Sequence, residues 1–290
     1  MGLNLNTLGR LEISWNDQPV TELTLRKSQA LLVYLAFNSG HHDRSRLAGL
    51  LWGELPERNA RRNLRHALHT LRAAIDPDVL ESDRLSAGLN PVIPCDVDAR
   101  HFTAALGQAR SHRQHGELDV AFRHLQRAVD LYLGDFLGSF DVSDCAAFEE
   151  WVTGRRVYLR VQFLEALEAL VRHWTERGSY DRALRYARRQ LALEPLSEAA
   201  HRQLMVLLAL TGQRNAAVSQ YQICRRILAE ELGLEPLEET QDLYHTIRDA
   251  TLVPPTGWDA GQSSRAPLSL PFVGREEAHA VLVGAWEAAQ

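Results

Sequence analysis

Three glycines at repeated positions constrain the fold of this 290-residue chain more than any other feature. Gly116, Gly178 and Gly212 are each followed five residues later by an alanine, and the last two glycines lie 34 residues apart. Glycine can turn the chain between two antiparallel helices, and a small alanine lets the second helix pack close to the first. We therefore predict helix pairs stacked in tandem with a 34-residue period.

The helical part extends from Asp98 to about residue 250, and its period is that of tetratricopeptide repeats. The first repeat unit lies 62 residues before the second, so the pattern predicts that a long helix interrupts the array. Its apolar stripe is formed by Val152, Leu159, Phe163, Leu167, Leu170 and Trp174. Such an array leaves a surface for a partner, although it can also serve only as a stabilising stack.

The first 97 residues have a different pattern. Residues 1–25 contain short alternating apolar segments around a turn signal at 16–19, which predicts a small β-meander. Residues 26–75 have a helical period in three segments, and residues 79–97 return to strand-like pieces around Ala87-Gly88, a predicted hairpin. We therefore predict a mainly α chain: an N-terminal winged helix-turn-helix domain (α+β) over 1–97, then an α-helical tetratricopeptide-like domain over 98–250.

The third predicted helix, around residues 57–75, carries an unusual charge pattern. Only Lys27 among the 32 basic residues is a lysine, and the segment 58–75 contains basic residues but no acid. The basic side chains of this helix are Arg58, Arg61, Arg62, Arg65, His66, His69 and Arg72. With Leu64, Leu68, Leu71 and Ile75 facing inward, most of them lie on the opposite face, where guanidinium groups can bind phosphates and guanine edges. The alternative is a solvated face in an arginine-rich protein.

Other classes of function have little support in the sequence. No phosphate-binding loop, nucleophile elbow or zinc-protease motif is present, so we predict no enzyme activity and no cofactor. His112 and His115 lack further ligands at workable spacing, so no metal site is predicted. The three cysteines are far apart, and no secretory signal or membrane-spanning run is visible, which predicts a cytoplasmic protein.

Several segments together resemble the Streptomyces antibiotic regulatory protein family. In the first half these are residues 26–36, Arg46-Leu47 through Leu51-Trp52, and residues 61–72. In the second half, residues 131–137, Phe148-Glu149-Glu150-Trp151, Arg160, residues 164–167 and Gly233-Leu234-Glu235-Pro236 resemble the bacterial transcriptional activator domain of that family. The resemblance covers residues 1 to about 250.

The resemblance implies a DNA-binding transcription regulator, usually an activator, with an OmpR/PhoB-type winged helix. Its third helix would enter the major groove, and Arg26, Arg44 and Trp52 would contribute to a clamp on the DNA backbone. The family's hairpin often ends in Gly-Tyr, whereas this chain has residues 84–90 there, so Arg84 is the candidate contact in the wing. Double-stranded DNA, RNA polymerase and a second copy on tandem half-sites are the partners that the resemblance implies, and a membrane is not among them.

The C-terminal segment gives a further expectation. Residues 251–271 are rich in Pro, Gly and Ser, which predicts a linker. Residues 272–290 begin with Phe272-Val273-Gly274-Arg275-Glu276, which resembles the opening of a signal-transduction ATPase module, so we expect the front of a longer protein. Two alternatives to DNA binding stay open: a protein–protein adaptor, which the net charge of −5 allows, and the regulatory front of such an ATPase.

Overall fold

The computed structural model describes residues 2–249, so the predicted linker and ATPase-like segment lie outside the described residues. The helices are α1 (Arg26–Phe37), α2 (Arg44–Trp52), α3 (Glu57–Ala74), α4 (Asp98–Gln114), α5 (Leu118–Leu131), α6 (Ala146–Glu176), α7 (Tyr180–Leu193), α8 (Glu198–Leu210), α9 (Arg214–Leu232) and α10 (Glu238–Arg248). The strands are β1 (Leu3–Asn6), β2 (Glu12–Trp15), β3 (Gln18–Pro19), β4 (His42–Asp43), β5 (Leu80–Ser82), β6 (Ser86–Leu89) and β7 (Cys95–Val97).

The chain divides into two compact units between Ala166 and Leu167, and α6 runs across this boundary. The first unit begins with a four-stranded sheet in the order β3-β2-β1-β7. Strands β1 to β3 form the predicted antiparallel meander. Strand β7 adds to β1 in parallel, with Leu5 opposite Val97, and this pairing was not anticipated from local sequence because it joins distant segments.

Helices α1, α2 and α3 pack with a small sheet in the order β4-β6-β5. The turn of the β5–β6 hairpin lies at residues 83–85, whereas the sequence suggested Ala87-Gly88, which in the structure belongs to β6. Gly88 has a different role. A Cβ atom at this position would lie 2.4 Å from the carbonyl oxygen of Gly40, so a side chain has no room where β6 passes the end of α1.

Residues 98–166 complete the first unit. The α4–α5 helix hairpin begins at Asp98, whose carboxylate accepts hydrogen bonds from the backbone N–H groups of Thr7 and Leu8, each at 2.8 Å. The ring of Phe37 at the end of α1 packs against Phe136, with ring centroids 4.9 Å apart. The winged helix and the first helices of the activator part therefore share one core.

The second unit is built from the end of α6 and helices α7 to α10. Gly178 and Gly212 have φ values of +67° and +75°, and Gly116 of the first unit has +78°, which are left-handed conformations that glycine adopts without strain. The three alanines that follow, Ala121, Ala183 and Ala217, are at most 3 % exposed. The predicted turns and close helix contacts are thus confirmed in all three repeat units.

The architecture agrees with the predicted fold class: a winged helix with a small sheet, then tetratricopeptide-like helix pairs. The predicted stripe of the long helix is also confirmed, since Val152, Leu159, Phe163, Leu167 and Leu170 are at most 2 % exposed. Among the described residues no helix is both long and apolar enough to cross a bilayer.

Candidate nucleic-acid interface

The third helix has one buried face and one basic face. Leu64, Leu68 and Leu71 are at most 1 % exposed, and Ala60 and Ala67 complete the buried stripe. This spacing matches the α-helix, which has about 3.6 residues per turn. Pro56 precedes the helix, at a position where the missing N–H of proline costs little. Burial of the leucines against α1 and α2 therefore fixes which side chains α3 turns toward solvent.

The exposed face of α3 is formed by basic side chains at spacings of three and four residues. Its exposed members are Arg58, Arg61, Arg62, Arg65, His66 and His69. The guanidinium groups of Arg58, Arg62 and Arg65 make no hydrogen bond or ion pair with any residue in 2–249. The only acid on α3 is Glu57, at its first residue. This face can therefore offer its donors to an anionic partner.

Arg61 lies at the edge of the basic face and is held within the protein. Its guanidinium forms an ion pair with Glu57 at 2.7 Å and donates to Ser45 Oγ of α2 at 2.9 Å. These contacts orient Arg61 toward α2, at the flank of the face, and leave it more than half exposed.

Arg72 has a structural contact that the sequence did not predict. Its Nη2 donates to the carbonyl oxygen of Leu80 at 3.1 Å and to Ser82 Oγ at 2.9 Å, so it ties the end of α3 to β5. Arg72 is also partly buried. It therefore positions the hairpin beside α3 rather than extending the exposed face.

The hairpin tip is held by Asp83. Its carboxylate accepts hydrogen bonds from the N–H groups of Leu85 and Ser86, each at 2.7 Å. These bonds, that of Ser86 first, lower the pKa of Asp83 below its ordinary value. Arg44 donates to the carbonyl oxygen of Asp83 at 2.7 Å, which attaches the tip to the start of α2. Arg84 and Leu85 therefore project from a fixed turn, and Leu85 is 78 % exposed.

Two candidates from the family resemblance lie at the start of α1 and the end of α2. Arg26 donates to the carbonyl oxygen of Asp141 at 3.0 Å and lies over the Phe140 ring at 5.7 Å. Trp52 is only 6 % exposed. Both are thus placed where α1 meets the 140–145 loop, and their side chains are engaged within the protein.

Lys27 and Asp83 are positioning residues that the sequence did not predict. Lys27 donates to the carbonyl oxygens of Leu51 at 3.0 Å and Asp144 at 3.4 Å, so it joins α1 to the end of α2 and to the 140–145 loop. Lys27 is the only lysine of the chain, and this was the signal in the sequence that could have identified it. For Asp83, the signal was the spacing Asp-x-x-Ser, which favours a side-chain-capped turn over a turn at Ala87-Gly88.

The histidines considered as metal ligands have other contacts in the structure. No group of three or more His, Cys, Asp and Glu side chains within residues 2–249 is arranged to hold a metal ion. His112 instead pairs with Glu117 at 2.5 Å and stacks on His124. The basic face, the hairpin tip and the start of α2 are the elements with which a winged helix meets a duplex.

A fixed winged helix with a basic third helix, followed by paired helices, defines a winged-helix transcription regulator with a helical effector part. The model of the bacterial transcriptional activator domain matches residues 97–248, which is more than half of the chain. The chain belongs to the bacterial transcriptional activator domain family and is a regulator of the Streptomyces antibiotic regulatory protein type.

Curated relatives carry regulatory names. The chain is 27 % identical over 249 residues to the regulatory protein AfsR of Streptomyces coelicolor, covering 86 % of this chain and 24 % of that protein. It is 28 % identical over 262 residues to the regulatory protein DnrI of Streptomyces peucetius, covering 84 % of this chain and 92 % of that one. The chain therefore spans about a quarter of the length of AfsR and most of DnrI.

Solved structures with a similar fold include that of EmbR. The chain is similar to Mycobacterium tuberculosis EmbR, determined in complex with a low-affinity phosphopeptide, with a TM-score of 0.61 and 22 % identity. The similarity covers 99 % of this chain and 70 % of EmbR. It supports the winged-helix and helical architecture described above.

Proposed function

We propose that this protein is a sequence-specific DNA-binding activator of transcription that acts by binding rather than catalysis. The observation that carries the proposal is the exposed face of α3, where Arg58, Arg62 and Arg65 have no partner in residues 2–249 and no acid lies between the basic side chains. An α-helix fits the major groove of B-DNA, and arginine can donate two hydrogen bonds to guanine O6 and N7. The regulatory names of AfsR and DnrI agree with this role.

We assign base contacts to Arg62, Arg65, His66 and His69, the exposed basic side chains that follow Arg61 along α3. Arg58 and Arg61 lie toward the start of the helix and would contact phosphates. In this division the phosphate contacts position the helix on the duplex, and the base contacts specify the sequence.

Some of the remaining candidate residues would contact DNA, and others would hold the contacting elements in position. Arg84, at the fixed hairpin tip, would contact the minor groove or the backbone beside the recognition helix. Arg44 and Arg72 would act by holding the hairpin in place. Arg26 and Trp52 would act where α1 meets the 140–145 loop, with the Arg26 guanidinium still able to reach a phosphate from its exposed side.

We propose a DNA-binding domain over residues 1–97 and a helical activator domain over residues 98–250. The helical domain would supply the protein contacts, with RNA polymerase and a second copy of the chain as partners. Two copies on adjacent half-sites would bind more tightly than one, to an extent that the spacing of the sites sets.

The test begins with selection of duplexes bound by the full chain from fragments of the source genome. Affinity for a selected duplex should fall steeply as salt rises, with a log–log slope of about −0.9 for each phosphate contacted. A scrambled duplex should bind at least about a thousandfold more weakly. A protein–protein adaptor would instead select no common sequence and bind both duplexes alike, and that result would overturn the proposal.

A further inference from the structure

The turn between α9 and α10 exposes three leucines within six residues. Leu232, Leu234 and Leu237 are 51 %, 59 % and 58 % exposed, and we call residues 232–237 the leucine turn. Its shape is fixed, because Gly233 has a φ of +67° and the N–H of Leu234 donates to the carbonyl oxygen of Leu228. Clustered exposed apolar side chains with a polar rim mark a protein-binding surface.

The rim of the leucine turn is acidic. Glu230, Glu231 and Glu238 are exposed, and their carboxylates form no hydrogen bond or ion pair in the described part of the chain. The segment from Glu230 to Asp242 contains six acids and no base, and two of them, Glu235 and Glu239, form ion pairs with Arg225 and Arg202. A partner that fits must therefore offer positive charge around an apolar contact.

Helix α7 of the same compact unit presents a surface with those properties. Arg182, Arg185 and Arg188 are exposed, and Asp181 is the only acid on the helix. The guanidinium of Arg182 lies over the Trp174 ring at 4.4 Å, whereas those of Arg185 and Arg188 have no partner among residues 2–249. We call these three side chains the arginine face.

The arginine face ends in apolar surface. Ala192 is exposed in the last turn of α7, and Leu196, which is 42 % exposed, follows in the next loop. The arginine face therefore complements the leucine turn: each surface has exposed apolar side chains, and their charges are opposite.

We propose that the leucine turn of one copy docks on the arginine face of a second copy. In this contact the leucines cover Ala192 and Leu196, while Glu230, Glu231 and Glu238 meet Arg185 and Arg188. Two arginine faces repel each other, and so do two leucine turns, so the contact joins different surfaces on the two copies. DNA is also anionic and could bind the arginine face, but it would leave the leucine turn exposed to solvent.

The inference deepens the proposed pairing of two copies and rests on it. Because the two surfaces differ, the contact is heterologous, and each bound pair keeps one free leucine turn and one free arginine face. Association should therefore continue beyond dimers as concentration rises, unless a geometric closure or a DNA site of fixed length limits it.

Sedimentation velocity of the full chain without DNA tests the contact. The wild type should self-associate at about 0.05 M salt and less at about 0.5 M. Arg185→Glu with Arg188→Glu, and separately Leu234→Ser with Leu237→Ser, should each raise the dissociation constant about tenfold or more. The matched control, Arg123→Glu with Arg127→Glu on the exposed side of α5, changes the charge equally and should associate as the wild type does.

A mixture of the two variants gives the sharpest outcome. The arginine variant keeps a wild-type leucine turn and the leucine variant keeps a wild-type arginine face, so an equimolar mixture should form dimers and stop there. A wild type that stays monomeric up to about 100 μM, or a mixture that does not pair, overturns the proposal. So does an arginine variant that associates normally but loses DNA affinity, since α7 would then contact DNA. Failure of DNA binding alone leaves the self-association result intact.

Discussion

Among the glycines that the structure describes, Gly88 leaves the least room for a side chain. A Cβ atom there would lie 2.4 Å from the Gly40 carbonyl oxygen, and a backbone oxygen cannot rotate away as a side chain can. We expect Gly88→Ala to lower the free energy of unfolding by about 1–3 kcal/mol, the usual cost of overpacking. Urea-induced unfolding of the full chain measures this change.

Gly49 is the matched control for that substitution. It lies within α2, and a Cβ atom there would meet nothing within 4 Å. Alanine is favoured over glycine inside helices, so Gly49→Ala should stabilise the protein by about 0.5–1 kcal/mol. Equal effects of the two substitutions would contradict the role assigned to Gly88.

His201 makes the stability of the second unit depend on pH. Its Nε2–H donates to the carbonyl oxygen of Pro195 at 2.9 Å, and its Nδ1 accepts from Gln220 Nε2 at 2.7 Å, which requires the neutral ring. Burial is the main cause that lowers the pKa of His201 below 6.5. The folded state therefore binds the proton less well than the unfolded state.

Stability should consequently be retained above about pH 6.5 and fall as pH drops from there through the lowered pKa. In His201→Gln the free energy of unfolding should change less with pH over this window. Denaturant titrations of both proteins at a series of pH values check this. A variant with the same pH dependence as the wild type would show that other groups cause it.

At the scale of the element, α3 contains two kinds of arginine. Arg72 donates to Leu80 and Ser82 of the hairpin, whereas Arg62 projects from the protein without a partner in residues 2–249. We expect Arg72→Met to lower the free energy of unfolding by about 1.5–3 kcal/mol, the range for hydrogen bonds to charged groups. Arg62→Ala should change it by less than about 0.5 kcal/mol.

Chemical unfolding of both variants, with DNA affinity measured in parallel, distinguishes an arginine that stabilises the fold from one that contacts DNA. Arg62→Ala should weaken binding to the selected duplex without a stability change, and Arg72→Met should affect both. If Arg62→Ala destabilised the protein as much as Arg72→Met, the division of α3 into a supporting and a contacting set would be wrong.

The sequence predicted much of α3 because helix faces follow from local periodicity. Leu64, Leu68 and Leu71 are buried as expected, and the basic side chains lie opposite them. The contact between Arg72 and β5 could not be predicted, because it depends on where the hairpin packs. The turn at residues 83–85 was missed for a different reason. Its signal is local, because the Asp83 side chain accepts from the N–H groups of Leu85 and Ser86, and it stabilises a turn there more than the Ala-Gly pair favours one at 87–88.

At the scale of the molecule, the first unit depends on contacts across the proposed domain boundary. Asp98 accepts hydrogen bonds from Thr7 and Leu8, and Phe37 packs on Phe136. These pairs join residues far apart in sequence, so local patterns could not reveal them. The glycine–alanine repeat, by contrast, was readable because each unit is a local helix hairpin.

A fragment of residues 1–97 should therefore be less stable than one of residues 1–166. It lacks the carboxylate that pairs with the Thr7 and Leu8 N–H groups, and it exposes the ring of Phe37. Thermal unfolding of the two fragments compares them directly, with an expected decrease of several degrees for the shorter one. Equal melting temperatures would mean that residues 98–166 do not support the winged helix.

In the proposed function, α3 recognises bases in the major groove. The most direct measurement is a missing-contact experiment on the selected duplex, in which each base pair is substituted in turn and affinity is measured for the wild type and for Arg62→Ala. For the wild type, substitution of a contacted pair should cost about 1–3 kcal/mol. For Arg62→Ala, substitution of one particular base pair should no longer change the affinity, while every other substitution should cost as much as it does for the wild type. If Arg62→Ala and Arg65→Ala each showed the same loss of affinity as the wild type for every base-pair substitution, α3 would not be the element that recognises the bases.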